Sequence, residues 1–270
     1  MFTKLVPALK EWTLARLARR RTDLPRLGVL GIMKNEALNI DEWVEHYLWM
    51  GASQICLIDN GSTDDTVAKA RAWEARGKVR LMELAKQHRQ RLHYRRAFDR
   101  FRMARSCDWL LIADLDEFWF CPNGDTLQVA LAEFPEIDVI YSNWAVFGSS
   151  GLVAHPPSIR EAFTLRRPGL ARHGKYICRT RALSGPNDLH LHRVKSPVPL
   201  RTVTEMQRFQ LNHYPIQSLD FFRSVKMTRG DAGNAAKDSM RDMDYFRKQD
   251  EGCVETDRRL ADLVASHRTS

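Results

Sequence analysis

The sequence predicts an α/β fold, in which a mostly parallel sheet is flanked by helices and followed by a helical C-terminal tail. Three observations predict it. Between Leu27 and Ala113, short apolar runs alternate with segments whose apolar residues recur every three or four positions. Cap and turn residues such as Asn39, Gly51, Ser62 and Gly77 punctuate that alternation. The fourth apolar run, Leu110–Ala113, ends abruptly in Asp114, Asp116 and Glu117, and parallel sheets of this kind bind ligands beyond the carboxyl ends of their strands.

The elements follow in order. LGVLGIM, from Leu27, reads as a first strand. Asn39 then reads as an N-cap with Glu42 three residues on, and Ile40, Trp43, Val44, Tyr47 and Leu48 form the apolar stripe of a helix that Gly51 ends. QICLID (54–59) is a second strand. Ser62 or Thr63 caps a helix with Asp64 and Asp65 in its first turn, and KVRLMEL (78–84) is a third strand. Residues 89–105 fit a helix with Tyr94, Ala97, Phe98, Phe101 and Ala104 on one face, and the Leu110 run is the fourth strand. Beyond Pro122 the pattern loosens: a helix over 125–134 capped by Asp125, a strand over 137–146, a loop-rich stretch from Gly148 to Pro199, and helices over 217–229 and 238–265.

At 270 residues and 44% hydrophobic composition, the chain can bury a substantial core. No stretch approaches the apolar length of a membrane span, and the first residues lack the continuous apolar centre of a signal peptide. The five cysteines are odd in number and widely spaced, so a reducing, cytoplasmic location is expected. The net charge of +9 is concentrated. Residues 1–26 carry seven Lys/Arg against two acids, and residues 86–105 carry eight against one. Local patches of this kind point to phosphate or anionic lipid rather than to nucleic acid. Residues 1–26 form a basic amphipathic arm, with Leu5, Leu9, Trp12 and Leu17 among its lysines and arginines. Such an arm suits peripheral contact with an anionic membrane, or docking on its own domain.

The carboxylates carry the chemistry. Alternate residues of an extended chain face one side, so Asp114 and Asp116 project together at the strand's end. Mg²⁺ or Mn²⁺ commonly takes one or two carboxylates plus substrate phosphates and waters. A DxD alone is short, and capping acids at a solvated strand end would look the same.

The order of motifs is more specific. KNE at 34–36, EW and HY at 42–43 and 46–47, DNGSTDDT at 59–66 and DLDEF at 114–118 together resemble the nucleotide-sugar glycosyltransferases of the family 2-like and family 92-like group, with their GT-A, Rossmann-like fold. The likeness covers 27–120 well, with weaker echoes in NWAVFG (143–148) and in NHYPIQSLDFFRSVKMTRG (212–230).

That resemblance implies a nucleoside-diphosphate sugar donor, UDP-linked, a carbohydrate or glycolipid acceptor, and Mn²⁺ or Mg²⁺ as cofactor. It assigns nucleotide contacts to Asn35, Glu36, Asp59, Asn60, Gln90, Arg91, Tyr94 and Asp114. Metal contacts go to Asp114 and Asp116, joined by a late histidine, His213, which a hydrogen-bonded structural role would also explain. Glu117 faces away from Asp116 as a supporting or ion-pairing residue, and Lys175, Lys226 and Arg229 are diphosphate contacts. Arg95 stands where the family pattern has an asparagine. An inverting transfer needs a carboxylate base; Asp188 is the first choice and Glu161 the second. His190 and His192 could share a strand face, in an acceptor-site or structural role.

The expected organisation is a nucleotide-sugar and metal half (27–120), an acceptor half (121–230) in the same domain, and a helical tail (231–270). Two alternatives stand beside it. One is a phosphohydrolase of the haloacid-dehalogenase type, which also uses DxD at a strand end but has no role for DNGSTDDT. The other is a non-catalytic carbohydrate-binding relative.

Overall fold

The computed structural model describes residues 24–84, 89–195, 197–230 and 241–269. Most of the basic N-terminal arm lies outside them. The first half follows the expected alternation: β1 (Leu27–Met33), α1 (Ile40–Trp49), β2 (Ala52–Asp59), α2 (Thr66–Ala75), β3 (Val79–Glu83), α3 (Gln90–Arg100), α4 (Met103–Ser106) and β4 (Trp109–Ile112). The strands β3, β2, β1 and β4 are adjacent and parallel. β1 is buried along its whole length, as a strand covered on both faces must be. One face carries Trp43, Val44 and Tyr47 of α1 together with Leu27, Val29 and Leu57. The other carries Tyr94, Ala97 and Phe98 of α3 against Leu30, Ile32, Leu110 and Ile112.

The remaining elements are β5 (Glu117–Phe120), α5 (Leu127–Leu131), β6 (Val139–Val146), α6 (Ile159–Ala162), β7 (Leu165–Arg166), β8 (Gly174–Arg179), β9 (Thr202–Thr204) and β10 (Gln210–His213). They extend the sheet to the order β3-β2-β1-β4-β8-β6-β10-β5, with β9 beside β6. β8 is antiparallel to both its neighbours, and β5 is antiparallel to β10. The α/β class and the mostly parallel sheet expected from the sequence are therefore present, with two reversed strands.

Several local expectations need correction. The stretch read as loop from Gly148 to Pro199 contains β8, which lies between β4 and β6. Its residues Lys175–Cys178 are buried, but a lysine at its start and arginines after it hide it in the sequence. Gly174 opens it because a Cβ there would lie 1.9 Å from the Ser142 carbonyl oxygen. The helix expected over 89–105 breaks at Arg102, whose φ is +52°. Asn39 makes no side-chain cap. Its amide reaches Glu36 and Gln217 instead, and Glu42 caps α6 by accepting from Ser158 Oγ and the Ile159 amide. Thr66, not Ser62 or Thr63, opens α2, and Thr126, not Asp125, caps α5.

The expected helix over 217–229 is one turn, α7 (Leu219–Phe221), running into a π-helical turn over Phe222–Lys226. The long helix over 238–265 is instead α8 (Met243–Asp250), β11 (Glu255–Thr256) and α9 (Arg259–Arg268). β11 pairs with β7, and Leu260 and Val264 of α9 join the core beside α1. Among the described residues, no helix is long and apolar enough to cross a membrane. All five cysteines are buried and free.

Candidate active site

The carboxyl ends of β1, β2 and β4, the start of the reversed β8 and the end of β10 meet at one edge of the sheet. β4 stops at Ile112, and the chain turns over Ala113–Asp116, closed by the Glu117 amide donating to the Asp114 carbonyl at 3.0 Å. The expected extended alternation of Asp114 and Asp116 is therefore replaced by a turn. Glu117 then starts β5, whose Phe118, Trp119 and Phe120 are buried. An apolar strand runs into carboxylates because the acids occupy the turn between two buried strands.

Each aspartate of the turn has its own ammonium. Lys175 Nζ lies 2.9 Å from Asp114 Oδ2 and 3.5 Å from Glu117 Oε2. Lys226, on the π-helical turn, donates to Asp116 Oδ2. The other oxygen, Asp116 Oδ1, is 3.8 Å from His213 Nε2. Burial works against the charge on Asp116, but Lys226, His213 and Arg229 overcome it and hold the carboxyl well below its usual range. Burial pushes His213 down to about 4 despite Asp116, so its imidazole is neutral at physiological pH and its nitrogen lone pair is available to a metal. Burial likewise opposes the charge on Lys175, and Asp114 and Glu117 outweigh it to keep the ammonium protonated.

Trp144 of β6 closes the floor of the site. Its indole N–H donates to Glu117 Oε1 at 2.9 Å, and its ring lies 4.8 Å from that of His213. Trp144 falls within the NWAVFG echo, but its sequence position carries no sign of this role. A side chain that supports two others from a neighbouring strand leaves no spacing signal of its own.

The nucleotide candidates divide into two groups. Gln90 donates to the Tyr94 hydroxyl at 3.1 Å, and that hydroxyl donates to Asp114 Oδ1 at 3.3 Å. This chain of bonds links α3 to the acidic turn. Arg91 is exposed on the same helix, and Arg95 reaches the Asn187 carbonyl at 3.4 Å. The second group laces the loops after β1 and β2. Asn35, at φ +53°, accepts from the Thr63 amide, and its own amide donates to Ser62 Oγ. Asp59 accepts from the Gly61 and Ser62 amides, while Asn60 donates to the Leu84 carbonyl. Glu36 is buried and ion-paired with Arg229, which also reaches the Lys34 carbonyl at 3.0 Å.

The two candidate bases lie apart. Glu161, on α6, is paired with Arg268 at 2.6 Å on the α1 side of the sheet. Asp188 accepts from the Ser184 amide in a short turn whose next residue, Leu189, packs on the α3 side. His190 and His192 do not share a strand face: His192 contacts the Gly174 carbonyl at 3.2 Å and stands edge-on to Trp144.

The sequence of residues 31–251 matches the family model for glycosyltransferase family 92. The chain belongs to that family. Two curated family 92 proteins are similar to it. One, from Arabidopsis thaliana, is 22% identical, covering 73% of this chain and 36% of that protein. The other, from Oryza sativa subsp. japonica, is 24% identical, covering 72% and 34%. This family 92 chain thus spans about a third of the length of the curated relatives it matches. Similar solved structures include S. aureus TarS residues 1–349 in complex with UDP-GlcNAc. It is 12% identical, covers 83% of this chain and 72% of that chain, and gives a TM-score of 0.45. Another is the Mycobacterium tuberculosis glucosyl-3-phosphoglycerate synthase with Mn²⁺, UDP and glucosyl-3-phosphoglycerate. It is 19% identical, covers 64% and 62%, and gives a TM-score of 0.34. Membership in a glycosyltransferase family replaces the phosphohydrolase alternative.

Among the described residues, no three His, Cys, Asp or Glu side chains form a ready metal cage. Mg²⁺ and Mn²⁺ do not need one, because they keep waters and take substrate phosphates. Asp116 Oδ1 beside a neutral His213 nitrogen, with Asp114 in the same turn, is a donor set that fits such an ion.

Proposed function

We propose that this family 92 domain transfers a sugar from a nucleoside-diphosphate donor, UDP-linked, to an acceptor hydroxyl on a carbohydrate or glycolipid. The observation that carries the reading is the cluster of Asp114, Asp116, His213, Lys226 and Arg229 at the carboxyl edge of the sheet, on a chain of a glycosyltransferase family. The cluster alternates carboxylates with cations, as a site for a metal-bound diphosphate requires.

Asp114, Asp116 and His213 would hold Mn²⁺ or Mg²⁺, which supplies Lewis-acid neutralisation of the departing diphosphate. The loops of Asn35–Glu36 and Asp59–Asn60 would form the nucleoside side, pre-set by the bonds between them. Gln90 and Tyr94 orient Asp114. The sugar's anomeric C–O bond to the diphosphate breaks as the acceptor oxygen bonds to that carbon, and the hydroxyl proton goes to a carboxylate. We favour Asp188 over Glu161 for that proton, because the Glu161 carboxylate is held by Arg268. An anionic membrane surface as the location of the acceptor would draw on the basic N-terminal arm.

A thermal-shift screen of UDP, GDP, CDP and dTDP, each with and without Mn²⁺, on the wild type and Asp116→Asn tests the reading. A ligand that binds only the native state raises its stability by mass action. Metal-dependent stabilisation by one diphosphate, absent in Asp116→Asn, is expected. No stabilisation by any of them would overturn it. Stabilisation without sugar release in a turnover assay would favour the non-catalytic relative.

A further inference from the structure

The two buried lysines at the acidic turn are not equivalent. Lys175 sits on β8, between two paired strands, and serves two carboxylates at once. Lys226, on a π-helical turn and at the end of a flexible four-carbon stem, ion-pairs among the described residues with Asp116 alone. π-Helical turns are rare and are frequent at functional sites. The backbone on either side of that turn is anchored. Ser218 Oγ accepts from the Phe221 amide, and Arg229 is held by Glu36 and the Lys34 carbonyl. Only the Lys226 side chain has to move for its ammonium to leave Asp116.

We propose that Lys226 is an exchangeable counter-ion: its ammonium holds Asp116 until a divalent cation takes that carboxylate, and it then pairs with the diphosphate of the bound nucleotide. The diphosphate half of this rests on the nucleotide-sugar reading above. The physical reason is the burial of Lys226, which is 1% exposed. A buried ammonium left without a partner is strongly unfavourable. The neighbouring Glu36 carboxylate is already engaged by Arg229. A cation that displaces Lys226 from Asp116 therefore leaves a buried charge that an incoming anion would satisfy. Metal and diphosphate should bind with positive coupling, and Lys226 carries part of it. Such coupling is reciprocal between the two ligands.

The test is an equilibrium titration of the full chain with Mn²⁺, read as free Mn²⁺ by electron paramagnetic resonance, with and without UDP. A cation beside a carboxylate weakens its binding of a proton by about ten- to a thousandfold, and a metal ion faces the same repulsion. Lys226→Met should therefore bind Mn²⁺ at least about tenfold more tightly than the wild type in the absence of UDP. UDP should then tighten Mn²⁺ binding less in the variant than in the wild type. Unchanged or weaker Mn²⁺ binding in the variant, no Mn²⁺ binding by either protein, or an undiminished effect of UDP would overturn the proposal. Amine acetylation of the wild type, read at Lys226 by mass spectrometry, gives a second measurement that needs no variant. Mn²⁺ alone should raise labelling and Mn²⁺ with UDP should lower it; labelling indifferent to both would also overturn it. If no nucleoside diphosphate binds, the functional reading fails, while the Mn²⁺ titration without UDP still reads the exchange.

Discussion

Lys175 Nζ bridges Asp114 Oδ2, at 2.9 Å, and Glu117 Oε2, at 3.5 Å, and its side chain is fully buried. One cation from the reversed strand β8 thus contacts both acids, one at the turn after β4 and one at the start of β5. Removing one member of a buried ion pair leaves the others uncompensated, at a cost of about 3–5 kcal/mol. Lys175→Met should lose that much stability in urea unfolding. A loss under about 1 kcal/mol, the size of an exposed pair's contribution, would show that the bridge is not structural.

Asp116→Asn keeps the side chain's shape and removes one of the site's negative charges. Turnover should fall at least about 10²-fold, as for other deleted electrostatic stabilisers. Unlike that of the wild type, its unfolding midpoint should not rise when nucleotide and metal are added. Near-normal sugar release by this variant would remove Asp116 from the chemistry.

His46 makes stability depend on pH. It is completely buried; its Nε2 contacts the Trp119 carbonyl at 2.8 Å and its Nδ1 faces Arg160 Nη1 at 3.4 Å. Nδ1 therefore accepts, Nε2–H donates, and the ring is neutral. Burial first, and Arg160 second, push its pKa well below 6.5. The unfolded chain then binds a proton that the folded chain refuses. His46 contributes its full stability above about pH 6.5 and loses it as the pH falls towards the lowered folded value, at up to about 1.4 kcal/mol per pH unit. Stability measured from pH 8 to pH 5 should fall less steeply in His46→Gln than in the wild type. Parallel slopes would count against the assignment.

Gly174→Ala tests the junction that brings Lys175 to the site. The added Cβ would lie 1.9 Å from the Ser142 carbonyl and 2.7 Å from Asn143 Cα. Backbone on the neighbouring strand cannot give way as a flexible side chain would. A destabilisation of about 1–3 kcal/mol or more is expected from such overpacking, together with weaker nucleotide binding because β8 shifts. Wild-type stability in this variant would mean that the β6–β8 contact is looser than the register implies.

The sequence by itself determined the first half of the sheet. β1, β2, β3 and β4 were legible because each is a short apolar run separated by a helix of period 3.6, a purely local pattern. It also carried the family likeness through DNGSTDDT and DLDEF, and it placed the acids at a strand's end. Tertiary structure decided what surrounds those acids. β8 carries too mixed a sequence to be read as central, and it becomes central only because β4 and β6 pair with it. Lys175, Trp144, His213 and Lys226 reach the turn from four segments far apart in the chain. Glu42 shows the same limit in miniature. Its spacing from Asn39 suggests a cap for its own helix, yet its carboxylate caps α6, more than a hundred residues away. Spacing along a chain reports which residues share a helix or strand face. Which faces and charges meet depends on strand order, and burial then fixes the partner each charge must have.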